Sequence, residues 1–130
     1  MQDHQQLYAE FQMLVQQAQA MQQHFTKIDE SLQELHNTSS SITELSKVKQ
    51  GTEILVPLAS GIFAKAKLDN NSEVLINTGA SVVVEKSMSE AKSIIASQST
   101  ELTTYKMQLE SQLEEMQDRM REIQQKLENV

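Results

Sequence analysis

The stretch EILVPLASGIFAKAKLDNNSEVLINTGASVVVEKS, residues 53–87, reads as strands and turns, while both of its flanks read as helix. Glu53–Leu58 is rich in β-branched and apolar residues, and Pro57 within it argues for a sheet edge. Ala59-Ser60-Gly61 is a short turn. From Ile62 to Leu68 the residues alternate: Phe63, Lys65 and Lys67 face one way, and Ile62, Ala64, Ala66 and Leu68 the other. Asp69-Asn70-Asn71-Ser72 is a second turn. A third strand follows at Glu73–Ile76, a turn at Asn77-Thr78-Gly79-Ala80-Ser81, and a fourth strand at Val82–Glu85. Four short strands joined by tight turns predict two β-hairpins. So small a sheet has open edges, and open edges pair with something.

The flanks carry heptads. Stepping by alternate fours and threes from Leu7 lands on Phe11, Leu14, Ala18, Met21, Phe25, Ile28, Leu32 and Leu35, without meeting a charge. A second seam runs Leu102, Tyr105, Leu109, Leu113, Met116, Met120, Ile123, Leu127, Val130. Apolar residues spaced at 3.5 positions make a coiled-coil seam. The step from Tyr105 to Leu109 to Leu113 is four then four, which predicts a stutter. The first helix is expected over about residues 3–47, with Gly51 as its stop. Its seam weakens at Asn37-Thr38-Ser39-Ser40-Ser41, read either as a polar layer or as a joint near the hairpins. Ser87-Met88-Ser89-Glu90 is a capping box that opens the second helix near residue 88. Each helix would span about 65 Å.

The fold class is therefore α+β, mainly α: a long antiparallel two-helix coiled coil joined by a head of two β-hairpins. It is a single domain over 1–130, with the first helix at 1–47, the head at 48–86 and the second helix at 87–130. A two-helix pair buries one narrow stripe per helix. At roughly 25 cal/mol per Å² that stripe is marginal against chain entropy. Other subunits are expected to contribute, through contacts of the β segment.

Composition narrows the function. The 130 residues carry a net charge of −7, and the 11 Lys and Arg are scattered, so nucleic acid is not an expected partner. The absence of Cys excludes disulfides and thiolate metal sites and suits a reducing cytoplasm. No run of 18 apolar residues suggests a membrane span. Met1-Gln2-Asp3-His4 does not open a signal peptide. His4, His24 and His36 lack the spacing of a ligand set. The pairs Asp29-Glu30 and Glu114-Glu115 point about 100° apart on a helix. Gly51, Gly61 and Gly79 form no phosphate loop. No catalytic constellation, metal site or cofactor is expected.

What remains is surplus apolar surface. Tyr8, Met13 and Val15 fall outside the seam that Phe11 and Leu14 continue, near the start of the first helix. Met116, Met120, Ile123 and Leu127 crowd the end of the second. Antiparallel pairing brings the two groups to one tip. A Met-rich apolar tip suits adaptable contact with varied partners. The alternative is that these residues merely close the helix pair. In the head, Ile54, Val56, Leu58, Phe63, Val74, Ile76, Val82 and Val84 are the expected subunit-assembly residues.

The run Ile54-Leu55-Val56-Pro57-Leu58, then Phe63 to Lys67, then Val82-Val83-Val84-Glu85-Lys86 with Glu90-Ala91, resembles the head of an alpha-class prefoldin subunit. Two hairpins, and not one, match the alpha class over the beta class. The architecture is similar over the whole chain; the specific wording is confined to residues 54–91. The resemblance implies a hexamer with two alpha-type and four beta-type subunits. Its hairpins would form paired β-barrels, and six coiled coils would hang below. It implies ATP-independent capture of unfolded polypeptides at the coiled-coil tips and transfer to a group II chaperonin. The competing reading is a structural or tethering coiled-coil scaffold, which should expose charge at the tip where a holdase exposes apolar atoms.

Overall fold

The computed structural model describes residues 4–128. The elements are α1 (His4–Ser46), β1 (Glu53–Ala59), β2 (Ile62–Lys67), β3 (Glu73–Gly79), β4 (Val82–Ser87) and α2 (Met88–Glu128). The expected helix start at residue 3 and the last seam position, Val130, lie outside the described residues. The chain divides into two units. One holds the first helical stretch up to Gln33 and the second from Ser99; the other is Glu34–Gln98.

In the first unit, Glu10 meets Arg119 and Asp29 meets Lys106. As one partner's number rises the other's falls, so the helices run antiparallel. The seam of α1 is as expected: Leu7 and Ile28 are buried, and Phe11, Leu14, Ala18, Met21, Phe25 and Leu32 are half-buried. On α2, Leu109 and Ile123 are buried. The expected stutter is not there. Tyr105 is exposed at 45%, and half-buried Lys106 takes the seam position. Leu102, Lys106, Leu109, Leu113, Met116, Met120, Ile123 and Leu127 then step by four and three without interruption. The lysine stem is apolar enough to line a seam while its ammonium leaves it; Lys106 Nζ reaches Asp29 Oδ1 on the facing helix at 2.7 Å.

In the second unit, α1 runs unbroken through Asn37–Ser41, with Ser39 half-buried on the seam. The hydroxyls here bond back along the helix: Thr38 Oγ1 donates to the Glu34 carbonyl at 2.9 Å and Thr43 Oγ1 to that of Ser39 at 3.1 Å. That satisfies the Thr38 hydroxyl within its own helix, whereas Thr43 Oγ1 also accepts from Lys92 Nζ of α2 at 2.6 Å. Past the helix, Asn71 Nδ2 donates to the Val48 carbonyl at 3.0 Å. Gly51, at a φ of 88°, turns the chain into β1, and its N–H bonds the Leu68 carbonyl at 2.6 Å. The capping box at the other end is formed: Glu90 N–H donates to Ser87 Oγ at 3.1 Å, and Ser87 Oγ donates to Glu90 Oε1 at 3.2 Å.

Between these joints are two separate two-stranded sheets, β1–β2 and β3–β4. The second runs further than expected from the sequence, β3 to Gly79 and β4 to Ser87, while β2 ends at Lys67, one residue short of the expected Leu68. A register shift beside Thr78 lets the ladder resume at Gly79↔Val82, which is how a bulge extends a hairpin. The two hairpins are copies. Glu53 pairs Lys67, Ile54 pairs Ala66, Val56 pairs Ala64 and Ala59 pairs Ile62. Adding 20 to each number gives Glu73↔Ser87, Val74↔Lys86, Ile76↔Val84 and Gly79↔Val82. The closing bonds repeat too: Leu68 N–H donates to Thr52 O, and Met88 N–H to Ser72 O. Leu68 and Met88 are both buried. The turns differ. The first puts Gly61 at positive φ, the second Ala80 and Ser81 at 49° and 64°.

Candidate functional site

Two surfaces gather uncovered apolar residues, each within one unit, while Tyr105 and Met107 are exposed singly along α2. The first lies at the free ends of the paired helices. Heptad geometry sends Leu7 and Ile123 inward, and Ile123 is wholly enclosed; it closes the pair and offers nothing to a visitor. Phe11, Leu14, Met116, Met120 and Leu127 are half-buried. Tyr8 and Met13 stand clear of the seam, 56% and 59% exposed. Val15 is half-buried, so it flanks the seam and is not a free surface residue. Two open depressions meet at Phe11. One is lined by Tyr8, Phe11, Gln12, Val15 and Gln16, the other by Phe11, Gln117, Met120, Arg121 and Gln124. The methionine supplies a polarisable wall that adapts to shape.

Charge sits beside this apolar surface. Arg119 forks onto Glu10, Nε to Oε1 at 2.7 Å and Nη2 to Oε2 at 2.9 Å. Its remaining nitrogen reaches Glu122 Oε2 at 3.2 Å, and Glu122 also meets Lys126 at 3.4 Å. The Arg119 hydrogen bonds hold the carboxyls of Glu10 and Glu122 below the ordinary carboxylate value, and these bonds in turn raise Arg119. On the same stretch Arg121 pairs with Asp118. A bidentate guanidinium–carboxylate pair adds orientation as well as attraction. It fixes α1 against α2 where the apolar residues emerge.

The second surface is the pair of hairpins. Of the eight head residues expected from sequence, Val56, Leu58, Phe63 and Val82 are exposed. Ile54, Val74, Ile76 and Val84 are half-buried. Val74 and Ile76 line a groove with Leu35, Ile42, Ala91 and Ile95 of the helices, so they divide their apolar area between the chain and solvent. Sequence reasoning missed Leu55, Ile62, Leu75 and Val83, all exposed. Strand alternation could have found three of them: Leu55, Leu75 and Val83 are apolar on the face opposite the one it favoured.

Among the described residues no group of three or more His, Asp or Glu could hold a metal ion. No described helix is long and apolar enough to cross a membrane. Neither surface gathers an acid, a base and a nucleophile. What both can do is bind: one through adaptable apolar contact, the other through strand edges and faces.

Comparison with known proteins gives a consistent result. A family model for prefoldin subunits matches residues 14–130. The prefoldin subunit alpha of Thermofilum pendens is 26% identical over 122 residues, spanning 94% of this chain and 95% of the relative. That of Methanothrix thermoacetophila is 34% identical over 90 residues, 69% of this chain and 59% of the relative. A chain in the cryo-EM structure of filamentous PFD from Methanocaldococcus jannaschii superposes with a TM-score of 0.83 at 18% identity, covering 92% of this chain and 98% of that one. This last likeness is one of fold.

Proposed function

The chain belongs to the prefoldin family, and from that premise we propose that it is the alpha-type subunit of a cytoplasmic, ATP-independent holdase. It assembles with beta-type subunits, two alpha to four beta, through its hairpins. It captures unfolded polypeptides at the free ends of its helices, and a group II chaperonin receives them. The whole chain acts as one prefoldin-type domain. The observation that carries the reading is the exposure of Tyr8, which lines one of the depressions at Phe11, and of Met13 on the same helical stretch. Apolar side chains left in water at a helix end forgo solubility, and contact with a partner accounts for them. A tethering scaffold gains nothing from them, and the charges Glu10, Arg119 and Glu122 on the same stretch are engaged with one another.

The test removes the exposed pair and leaves the seam. Tyr8→Ser with Met13→Ser should keep the mass of the assembled complex and its helicity, because neither residue closes the helices. It should weaken suppression of aggregation of a denatured client several-fold per complex, in buffer without nucleotide. Adding Val15→Ser should weaken it further at a small cost in helicity, since Val15 is half-buried. Equal activity at equal helicity would move the client contact to the beta-type arms or the underside of the head, and favour the scaffold reading for this chain.

A further inference from the structure

The glutamines of the two helices gather toward the free ends. Eight of the nine in α1 fall within residues 4–23, and five of the six in α2 within 108–128. The halves next to the head carry serine and threonine in their place. Four of these glutamines line the two depressions that meet at Phe11: Gln12 and Gln16 in one, Gln117 and Gln124 in the other. All four are exposed, and none takes part in a hydrogen bond among the described residues. The one charged residue lining either depression, Arg121, is held by Asp118. The apolar floor at Phe11 is therefore ringed by neutral amides, each with donors and an acceptor to offer.

We propose that these four glutamines bind the backbone of an extended, unfolded polypeptide, so that the tip recognises open peptide groups together with apolar side chains. The inference rests on the client capture proposed above and names what the client must present. A folded protein pairs its buried N–H and C=O groups internally, whereas an unfolded chain leaves them open. An apolar floor alone would grip a folded apolar patch as well as an unfolded segment. A peptide pressed onto such a floor loses water from its amides, at a cost that unpaired groups bear in full; the glutamines return the lost bonds. Their neutrality makes the rim indifferent to the client's charge. The spacing fits an extended occupant. Gln12 and Gln16 lie four residues apart on one helix face, about 6 Å along the axis. Residues i and i+2 of an extended chain are about 6.6 Å apart, and both present N–H and C=O along the same edge. Each glutamine can then donate to one carbonyl and accept from one N–H. A client side chain seated on Phe11 keeps water from these bonds, which strengthens them.

The test measures, by fluorescence anisotropy, the binding of two labelled peptides to the full-length chain in its assembled complex. Both peptides alternate leucine with serine. In the second, ester bonds replace alternate amides, which keeps shape and side chains, removes N–H donors and weakens the carbonyl acceptors. The unaltered protein should bind the ester peptide about fivefold more weakly. In Gln12→Met with Gln16→Met, and in Gln117→Met with Gln124→Met, the amide peptide should lose affinity and the gap between the peptides should narrow. Comparing the gap between proteins cancels any difference the esters carry in solution. Methionine matches glutamine in length and helix preference, so circular dichroism should be unchanged. It also adds apolar surface, so a tip that grips by apolar contact alone would bind both peptides at least as well. Equal binding of the two peptides by the unaltered protein would overturn the proposal and leave tip capture standing. A gap that persists in both paired variants would put backbone recognition on other residues and overturn it as well. If neither peptide binds, the proposal falls, and the comparison with Tyr8→Ser and Met13→Ser decides tip capture by itself.

Discussion

The helices cover their apolar seams and the hairpins leave their apolar faces open. In the paired helices Leu7, Ile28, Leu109 and Ile123 are buried, and the other seam residues are mostly half-covered. In the hairpins Leu55, Leu58, Phe63 and Leu75 are each more than half exposed. Strands of comparable apolarity are thus left in water by a chain that encloses its helical seams. A helix satisfies its backbone within itself and needs one partner to cover its stripe. A two-stranded sheet leaves two edges and two faces open, and is marginal by itself. The helical pair covers its seam within one chain, whereas the hairpins leave edges and faces uncovered.

The largest effect that could break this contrast comes from removing the hairpins. Replacing residues 52–86 by a short helix–helix turn should abolish assembly with partner subunits and leave a monomeric helical pair. A complex of unchanged mass would show that the helices carry assembly. The next test compares one buried and one displayed residue. Ile123→Ala, at a site with no exposure, should cost roughly 2–5 kcal/mol, seen as a lower melting temperature of the helical signal. Leu75→Ser should change folding stability by no more than about 0.5 kcal/mol while weakening assembly.

A smaller effect separates the two hairpins. Ala80 and Ser81 hold left-handed backbone, which costs a non-glycine residue roughly 1–2 kcal/mol, whereas the first turn places Gly61 there. Ala80→Gly should therefore slow amide exchange in β3–β4 and leave β1–β2 unchanged. The smallest effect is electrostatic. Glu10 and Glu122 titrate below 4.5 because Arg119 hydrogen-bonds their charged forms. The unfolded chain then binds more protons than the folded one in acid. This stabilisation is present above pH 4.5 and is lost as pH falls through the lowered folded values. Lys106, raised above 10.5 chiefly by its hydrogen bond to Asp29, contributes below that pH and loses its share as pH rises past the folded value. Glu10→Gln should flatten the acid limb of a melting-temperature profile and leave the alkaline limb as it was.

Much of this was legible in the residues. The capping box from Ser87 to Glu90 is a local signal that sets the start of α2 at Met88, whereas Gly51, expected as the stop of the first helix, lies five residues past its end at Ser46 and instead turns the chain into β1. Heptad spacing gave the seam of α1 through Leu35. It misplaced one step of α2, because Tyr105 is apolar by type and Lys106 is not. Only the facing Asp29 makes the lysine the better seam residue, and that partner is 77 positions away. Val15 drew attention as a residue off the seam, yet packing beside Phe11 half-covers it. The hairpin copies went unread for a similar reason. Glu53-Ile54-Leu55 against Glu73-Val74-Leu75 is a short match, and Pro57 against Asn77 or Lys65 against Glu85 conceals the rest. Hydrogen-bond register shows the repeat where letters do not. The proposed client-contact surface is legible only as an excess of apolar residues, a signal that carries no chemistry of the visitor.

The exact spacing of that repeat has a consequence for valency. Thr52 through Leu68 and Ser72 through Met88 are closed by equivalent backbone bonds, so either segment closes as a unit by itself. A subunit with one such unit can occupy a place in a ring; a subunit with two can connect neighbours. Deleting residues 53–72 would join Thr52 to Glu73 and leave one intact hairpin between the same two helices. Under the head-mediated assembly proposed above, such a chain would be a terminator and the present one a connector.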